Sequence, residues 1–467
     1  MKQKRPYTIL TVSKKAERSI LSGHPWVYDA EIRQVIGTVT NGCLVDVVTS
    51  PAWSKQETAK SECRESGGNP AVGKYLGTGF YSEHSKIRVR LLSRNANDKF
   101  DAAFWERRIR YAWEYRKTVM GDDIGCCRVI FGEADRFPGL TVDRFNDILV
   151  TQTLSYGMEL LKPVIFPLLY QVLTGDGQTI RGIYERNDVS IRELEGLKQY
   201  KGWYPLENAL SLSAAPDIHE NCSKYPVPDK NESRSLSPVP DHDQLCFHTD
   251  SCLTEITENG IVYQVDVENG QKTGFFLDQK YNRQAVARLA AGKRVLDCFT
   301  HTGSFALNAA RGGAAHVCAV DISESAIEMA KKNAWRNGLD DRMSFRVANV
   351  FDLLPQLEQS HEEKYDFIIL DPPAFTKSRK TVGNAKKGYK EINLRAMKLL
   401  PRGGYLATCS CSHFMSDELF IQMLHGAAAD AGVQLRQIEA RQQAPDHPIL
   451  WNVPETDYLK FYLFQVI

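Results

Sequence analysis

The chain has 467 residues, 43% of them apolar and 25% charged, with a formal net charge of +1. That length allows two or three folded domains, and the composition is that of a globular protein. The near-zero charge excludes a uniformly basic nucleic-acid binder, so any basic surface must be local.

No stretch of about 20 apolar residues offers a membrane span, and MKQKRPYTILTV lacks the long apolar run of a secretory leader. The N-terminal part alternates short strands and turns: TILTV, CLVDVVTS, KYLGTGFYS and KIRVRLLS. A helical stretch, KKAERSILSG, lies between the first two and ends at His24-Pro25-Trp26-Val27-Tyr28. We expect a small β-rich domain over residues 1–95, interrupted by a polar loop at 51–72. A charged, aromatic helix follows (FWERRIRYAWEYRKTV), then a strand, a Gly/Pro turn and two more strands in VIFGEADRFPGLTVDRFNDILVTQTLS. MELLKPVIFPLLYQVL reads as a helix, and GIYERNDVSIRELEGL as a strand plus turn. Residues 96–269 are thus expected to form a central α+β unit. Within it, 210–252 is rich in Ser, Pro, Asp, Asn and His and is expected to be a disordered insertion. Eleven cysteines lack both a secreted framework and a zinc spacing, since Cys409-x-Cys411 is too close for the usual knuckle. They read as reduced thiols of a cytoplasmic protein with no metal site.

From about residue 270 strands and helices alternate to the end, which predicts a doubly wound parallel sheet over 270–467. The first strand, RVL, ends at Asp297 and runs into a Thr/Gly/Ser turn followed by a helix, the arrangement that opens a ligand pocket at a sheet's carboxyl edge. Asp297 can accept from an ammonium or amide, and Gly303 lets backbone approach a ligand. Phe299, Thr302, Ser304 and Phe305 complete the expected turn. Asp321 ends the second strand, where an acid about 20 residues on can grip a ribose diol, with Ile322 and Ser323 beside it. Asn349 and Val350 follow the third strand and could meet an adenine ring.

Asp371-Pro372-Pro373-Ala374-Phe375 ends the next strand. A polar group, a stiff turn and an aromatic wall suit a base lodged beside a methyl donor. Together the two segments look like the cofactor turn and catalytic loop of a class I S-adenosylmethionine-dependent methyltransferase acting on a nucleobase. Thr408-Cys409-Ser410-Cys411-Ser412 supplies thiols. A thiolate adding to carbon 6 is needed before carbon 5 of a pyrimidine becomes nucleophilic, and it has no use at a nitrogen target. Alternate positions put both cysteines on one strand face, so spacing selects neither. Lys377, Arg379, Lys380, Lys386, Lys387 and Lys390 form a basic segment after the loop, suited to phosphates and expected to be mobile.

SGHPWVY, GEADRFPGLTVDRFND, IYERNDVSIRELEG, GQKTGFFLDQKYNR, LDCFTHTGSFAL, LDPPAF, KGYKEIN, SCS and APDHP occur in that order. In this the chain resembles the bacterial large-subunit (23S) rRNA cytosine-5 methyltransferases of the RlmI type, over nearly its whole length. The resemblance implies an N-terminal PUA domain, S-adenosylmethionine as cofactor, rRNA or a large-subunit precursor as partner, and a cysteine nucleophile in the S-C-S triplet that falls on Cys411, with Asp371 and Pro372 in the catalytic loop. It adds Phe276, Asp278 and Gln279 as cofactor contacts. A homodimer is also envisaged. Methylation at a base nitrogen and a non-catalytic RNA-binding assembly factor remain the competing readings.

Overall fold

The computed structural model describes residues 5–50, 73–206, 251–360, 362–376 and 378–467. The loop expected at 51–72, Lys377 and all of the insertion except residues 251–252 lie outside the described residues.

Six strands build the first sheet: β1 (Thr8–Val12), β2 (Trp26–Tyr28), β3 (Ile32–Ile36), β4 (Leu44–Thr49), β5 (Tyr75–Tyr81) and β6 (Ile87–Ser93), in the order β2-β6-β5-β4-β1-β3. Helix α1 (Lys14–Leu21) starts where Ser13 accepts the Ala16 amide, and it buries Ala16 and Ile20, one turn apart, against Leu10, Val27, Val45 and Val89.

The second sheet holds β7 (Cys126–Phe131), β8 (Leu140–Phe145), β9 (Ile148–Thr153), β10 (Gly182–Arg186) and β11 (Lys201–Trp203) in the order β11-β10-β9-β8-β7. Helix α2 (Ala102–Met120) is capped by Asp101 and packs Trp105, Ile109 and Trp113 into this sheet's core. Helix α3 (Tyr156–Gly175) makes the crossover between the parallel strands β9 and β10. A hairpin, β12 (Leu253–Glu258) with β13 (Ile261–Asp266), then leads into the last sheet.

That sheet has seven strands: β14 (Arg294–Cys298), β15 (His316–Asp321), β16 (Met343–Val347), β17 (Phe367–Leu370), β18 (Tyr405–Ser410), β19 (Leu435–Arg441) and β20 (Lys460–Val466). Their order is β16-β15-β14-β17-β18-β20-β19. The first five are parallel, as the alternation of strands and helices requires, but β20 runs antiparallel between β18 and β19. Six helices serve this sheet: α4 (Lys280–Leu289), α5 (Ser304–Arg311), α6 (Glu324–Arg336), α7 (Val350–Ser360), α8 (Val382–Leu399) and α9 (Asp417–Ala431). Strand order reverses between β15-β14 and β17, which opens a crevice at the carboxyl ends of β14 and β17.

Helix α5 is buried on every side over residues 304–310, because the hairpin residues Tyr263 and Val265 share one core with Phe305, Ala306 and Leu307. The hairpin therefore packs with the third sheet although its sequence range falls in the central unit. The basic segment is also not a loop. Lys386, Lys387 and Lys390 lie on α8, and only Arg379 and Lys380 remain in the short turn before it.

Candidate functional site

The turn after β14 is tightly held. Asp297 Oδ2 accepts from the Thr300 hydroxyl at 2.5 Å and the Ala306 amide at 2.9 Å. Its other oxygen, Oδ1, is buried with no protein partner. Burial pushes this carboxyl up to about 7; the Thr300 hydrogen bond opposes the rise, and the charge of Asp371 adds to it. Phe299 and His301 adopt left-handed backbone (φ 65° and 51°), as does Gly303 at 85°. At Gly303 a Cβ would sit 3.0 Å from that of Ala330, so glycine is required for space as well as for conformation. The His301 amide donates to Asp321 Oδ2 and the Ser323 amide to Asp321 Oδ1, both at 2.9 Å. Ser323 itself caps α6 through the Ala326 amide. Ile322, beside Asp321, is 71% exposed at the rim. Thr302 accepts from Asn333 Nδ2 through its carbonyl, and the Ser304 hydroxyl accepts from Arg283.

The segment 271–279 reaches the same turn. The Phe276 ring packs against His301 with centroids 5.2 Å apart, and Lys272 Nζ lies 4.8 Å above Phe276. Gln279 Nε2 donates to Asp371 Oδ1 at 2.9 Å, while Gln279 Oε1 accepts from Asn282. The Tyr458 hydroxyl donates to Asp278 Oδ2 at 2.6 Å, and Asp278 Oδ1 is the second buried carboxylate oxygen here without a protein partner. Burial works to raise the Asp278 carboxyl, but the charges of His447 and Lys272 and the Tyr458 hydrogen bond outweigh it and hold it below the usual range. Asp371 moves the other way: burial and the charge of Asp278 push it up to about 6.

The two cysteines differ sharply. Cys409 is the fifth residue of β18 and is fully buried among Phe461, Ala407 and Ile369. Cys411 lies one residue beyond the strand, is half-buried, and holds its Sγ 4.0 Å from the Pro372 carbonyl oxygen. Burial pushes the Cys411 thiol up to about 11, against the pull of Lys272 and with the charges of Asp371 and Asp278 adding. Around it, Tyr389 shares hydrogen bonds with Ser410 and Ser412 (both 3.1 Å), and Phe375 packs on Tyr389 at 4.5 Å. Lys460 Nζ donates to the Ser412 and Tyr458 carbonyls, each at 3.0 Å, and so ties the cysteine loop to β20.

Asp297, Asp321, Asp371, Phe276, Asp278, Gln279, Gly303 and Cys411 are thus linked by direct contacts or through one neighbour. The side chains of Phe305 and Val350 are not part of that group. Phe305 stacks on Phe461 in the core and Val350 packs with Leu353 and Leu354 beneath α7, so only their backbones can face a ligand. Asn349 caps α7, accepting the Phe351 amide. Lys386 donates to Gln422, while the charge of Lys272 acts on Cys411. Lys272, Tyr458 and His447 were not singled out by sequence reasoning, although GQKTGFF and APDHP contain the first and last.

Residues 245–465 match the family pattern of S-adenosylmethionine-dependent methyltransferases, and 10–52 with 71–94 match that of PUA-like domains. The chain is 34% identical over 460 residues to ribosomal RNA large subunit methyltransferase I of Klebsiella pneumoniae, covering 98% of each. It is 35% identical over 449 residues to the protein of that name from Aeromonas salmonicida, covering 96% of each. Among solved structures, a protein from Streptococcus mutans described as a SAM-dependent methyltransferase superposes with a TM-score of 0.71 at 19% identity, over 98% of this chain and 99% of that one. The residues present fit S-adenosylmethionine: the unpartnered oxygens of Asp297 and Asp278 suit its cationic groups, Asp321 suits its ribose hydroxyls, and Gly303 leaves the turn open. The chain belongs to the ribosomal RNA large subunit methyltransferase I family of S-adenosylmethionine-dependent enzymes.

Proposed function

We propose that this enzyme methylates carbon 5 of a cytosine in large-subunit ribosomal RNA, acting in the cytoplasm, with Cys411 as its nucleophile. The substrate follows from the relatives' shared name. The chemistry is carried by one observation: of the two thiols near Asp371, only that of Cys411 is open to an incoming base, beside the Pro372 carbonyl.

In this reading Asp371, oriented by Gln279, accepts from the exocyclic amino group of the cytosine. Phe375, propped by Tyr389, walls the ring. The Cys411 thiolate adds to carbon 6, and the electron pair of the 5,6 double bond becomes available at carbon 5. Bound S-adenosylmethionine supplies an electrophilic methyl group. Loss of the carbon-5 proton then re-forms the double bond and expels Cys411 as thiolate. The resting thiol, pushed up to about 11, is protonated at neutral pH, so it must ionise as the base enters, with the charge of Lys272 favouring ionisation. Residues 1–95 present the RNA, 96–269 form the connecting unit, and 270–467 carry the transfer.

Cys411→Ala is expected to abolish turnover and keep cofactor binding, whereas Cys409→Ala keeps most activity. RNA carrying 5-fluorocytosine should trap the wild type in a covalent complex that survives denaturing gels, because fluorine blocks the final proton loss. Trapping by Cys411→Ala but not by Cys409→Ala would reverse the assignment. Full methylation by both variants would replace the mechanism with transfer to a base nitrogen. Mass-spectrometric mapping of rRNA from cells with and without the protein identifies the nucleotide.

A further inference from the structure

The turn between His447 and Thr456 is anchored at its base and at one side. The Leu450 amide donates to Thr456 Oγ1 at 2.9 Å and the Val453 amide to the Leu450 carbonyl at 2.8 Å, which leaves Trp451 and Asn452 at the tip. Asn452 sits directly against the N-terminal sheet's α1 end: a Cβ on Gly23 would fall 2.8 Å from its Nδ2. Glu455 meets His24 Nε2 at 3.3 Å. On this fixed tip Trp451 is 96% exposed, more than any other large hydrophobic side chain among the described residues.

A single exposed apolar residue is ordinary. The surroundings of this one are not. His24, Trp26 and Tyr28 form an edge-to-face aromatic row, with centroids 5.5 and 6.4 Å apart, and the Arg90 guanidinium lies 5.8 Å from the Trp26 ring. Tyr28 is 37% exposed. Its hydroxyl is acted on by Glu455 of the turn and by Arg379. Arg379 and Lys380 are exposed in the short turn that follows the Asp371-Pro372-Pro373 loop.

We propose that Trp451, Tyr28 and Arg379 form a ridge that receives a single-stranded RNA segment flanking the target base. This rests on the RNA reading above. Aromatic faces beside exposed guanidinium and ammonium groups match the needs of unstacked nucleotides, whose bases stack and whose phosphates seek cations. A protein partner would call for a broader continuous apolar patch than one tryptophan among charges. The ridge also gives the N-terminal sheet a physical part in the reaction, because the strand is held jointly by that sheet and by the turn behind the catalytic loop.

The test uses the full chain and deproteinised large-subunit rRNA from cells lacking the protein. Trp451→Ala should raise the KM for RNA about tenfold, the loss of one stacked base, while kcat and S-adenosylmethionine affinity stay within about twofold. Trp451→Phe should restore most of the loss. Arg379→Ala should weaken RNA binding and flatten its salt dependence. Because Trp451 is exposed, its variants are expected to melt with the wild type. An unchanged KM in Trp451→Ala overturns the proposal. So does a defect seen only on assembled subunits, which would assign the ridge to a ribosomal protein. Anisotropy with a fluorescent single-stranded RNA separates this from the enzyme's chemistry: if wild type binds and Trp451→Ala does not, the ridge stands even where no cytosine-5 product forms.

Discussion

Asp143, Glu258 and Asp135, in the scaffold between the sheets, each meet an arginine through both oxygens, whereas Asp297 and Asp278, at the mouth of the seven-stranded sheet, each keep a buried oxygen without a protein partner. Arg128 holds Asp143 at 2.7 and 2.8 Å, Arg283 holds Glu258 at 2.7 and 3.2 Å, and Arg116 holds Asp135 at 2.6 and 2.7 Å. The mouth leaves the Oδ1 atoms of Asp297 and Asp278 open. A buried carboxylate without a partner is costly, so a fold keeps one only where something else completes it. We read the paired set as serving assembly and the open set as the proposed ligand-binding groups, and each can be disturbed separately.

The largest effect should come from breaking the paired set. Arg283→Met leaves Glu258 charged and buried and should lower unfolding free energy by about 3–5 kcal/mol in urea melts. Combining it with Glu258→Gln should recover part of that loss. Little destabilisation by the single change would mean that the two sets do not differ as described. Next, Asp321→Ala should weaken S-adenosylmethionine binding by about 1–3 kcal/mol in calorimetry without a comparable loss of melting temperature.

A pH series sharpens the contrast further. The Asp297 carboxyl, raised to about 7 in the fold from an unfolded value near 4, is protonated more readily in the native state. Its contribution to stability is therefore greatest at low pH, declines as pH rises from about 4 to about 7, and is constant above that. A cationic cofactor favours the ionised form, so its affinity should climb up to about tenfold per unit below pH 7 and level off above. Asp297→Asn should bind weakly at every pH and lose the slope. Smallest of all, Cys409→Ala should cost about 1 kcal/mol as a core truncation and leave the pH profile of methyl transfer alone.

Much of this mouth was legible in the sequence because its acids sit at strand ends, where local pattern and position coincide. Asp297, Asp321 and Asp371 each lie at or next to the carboxyl end of an apolar strand, and Gly303 marks the turn between strand and helix. The parts that were not legible depend on distant pairings. Tyr458 reaches Asp278 across 180 residues of chain, and no periodicity announces such a contact. Lys386 follows the Asp371-Pro372-Pro373 loop in sequence, yet α8 carries it to Gln422, while Lys272, whose charge acts on Cys411, comes from before the sheet begins. The antiparallel β20 escaped for a related reason: a buried apolar run does not show its direction. Spacing alone put Cys409 and Cys411 on one face, and their different burial follows from where β18 ends, with Cys409 inside the strand and Cys411 one residue beyond it.

The turn from Phe299 to Gly303 has a further consequence for rates. Left-handed backbone at two non-glycine residues is uncommon, and here hydrogen bonds from Thr300 to Asp297 and from His301 to Asp321 hold it in place. A loop fixed in this way has surrendered its conformational freedom before any ligand arrives. Cofactor capture should then show a single fast phase whose rate scales with concentration, with no slow ordering step after encounter. Variants of this turn should differ chiefly in how long the cofactor stays, not in how quickly it arrives.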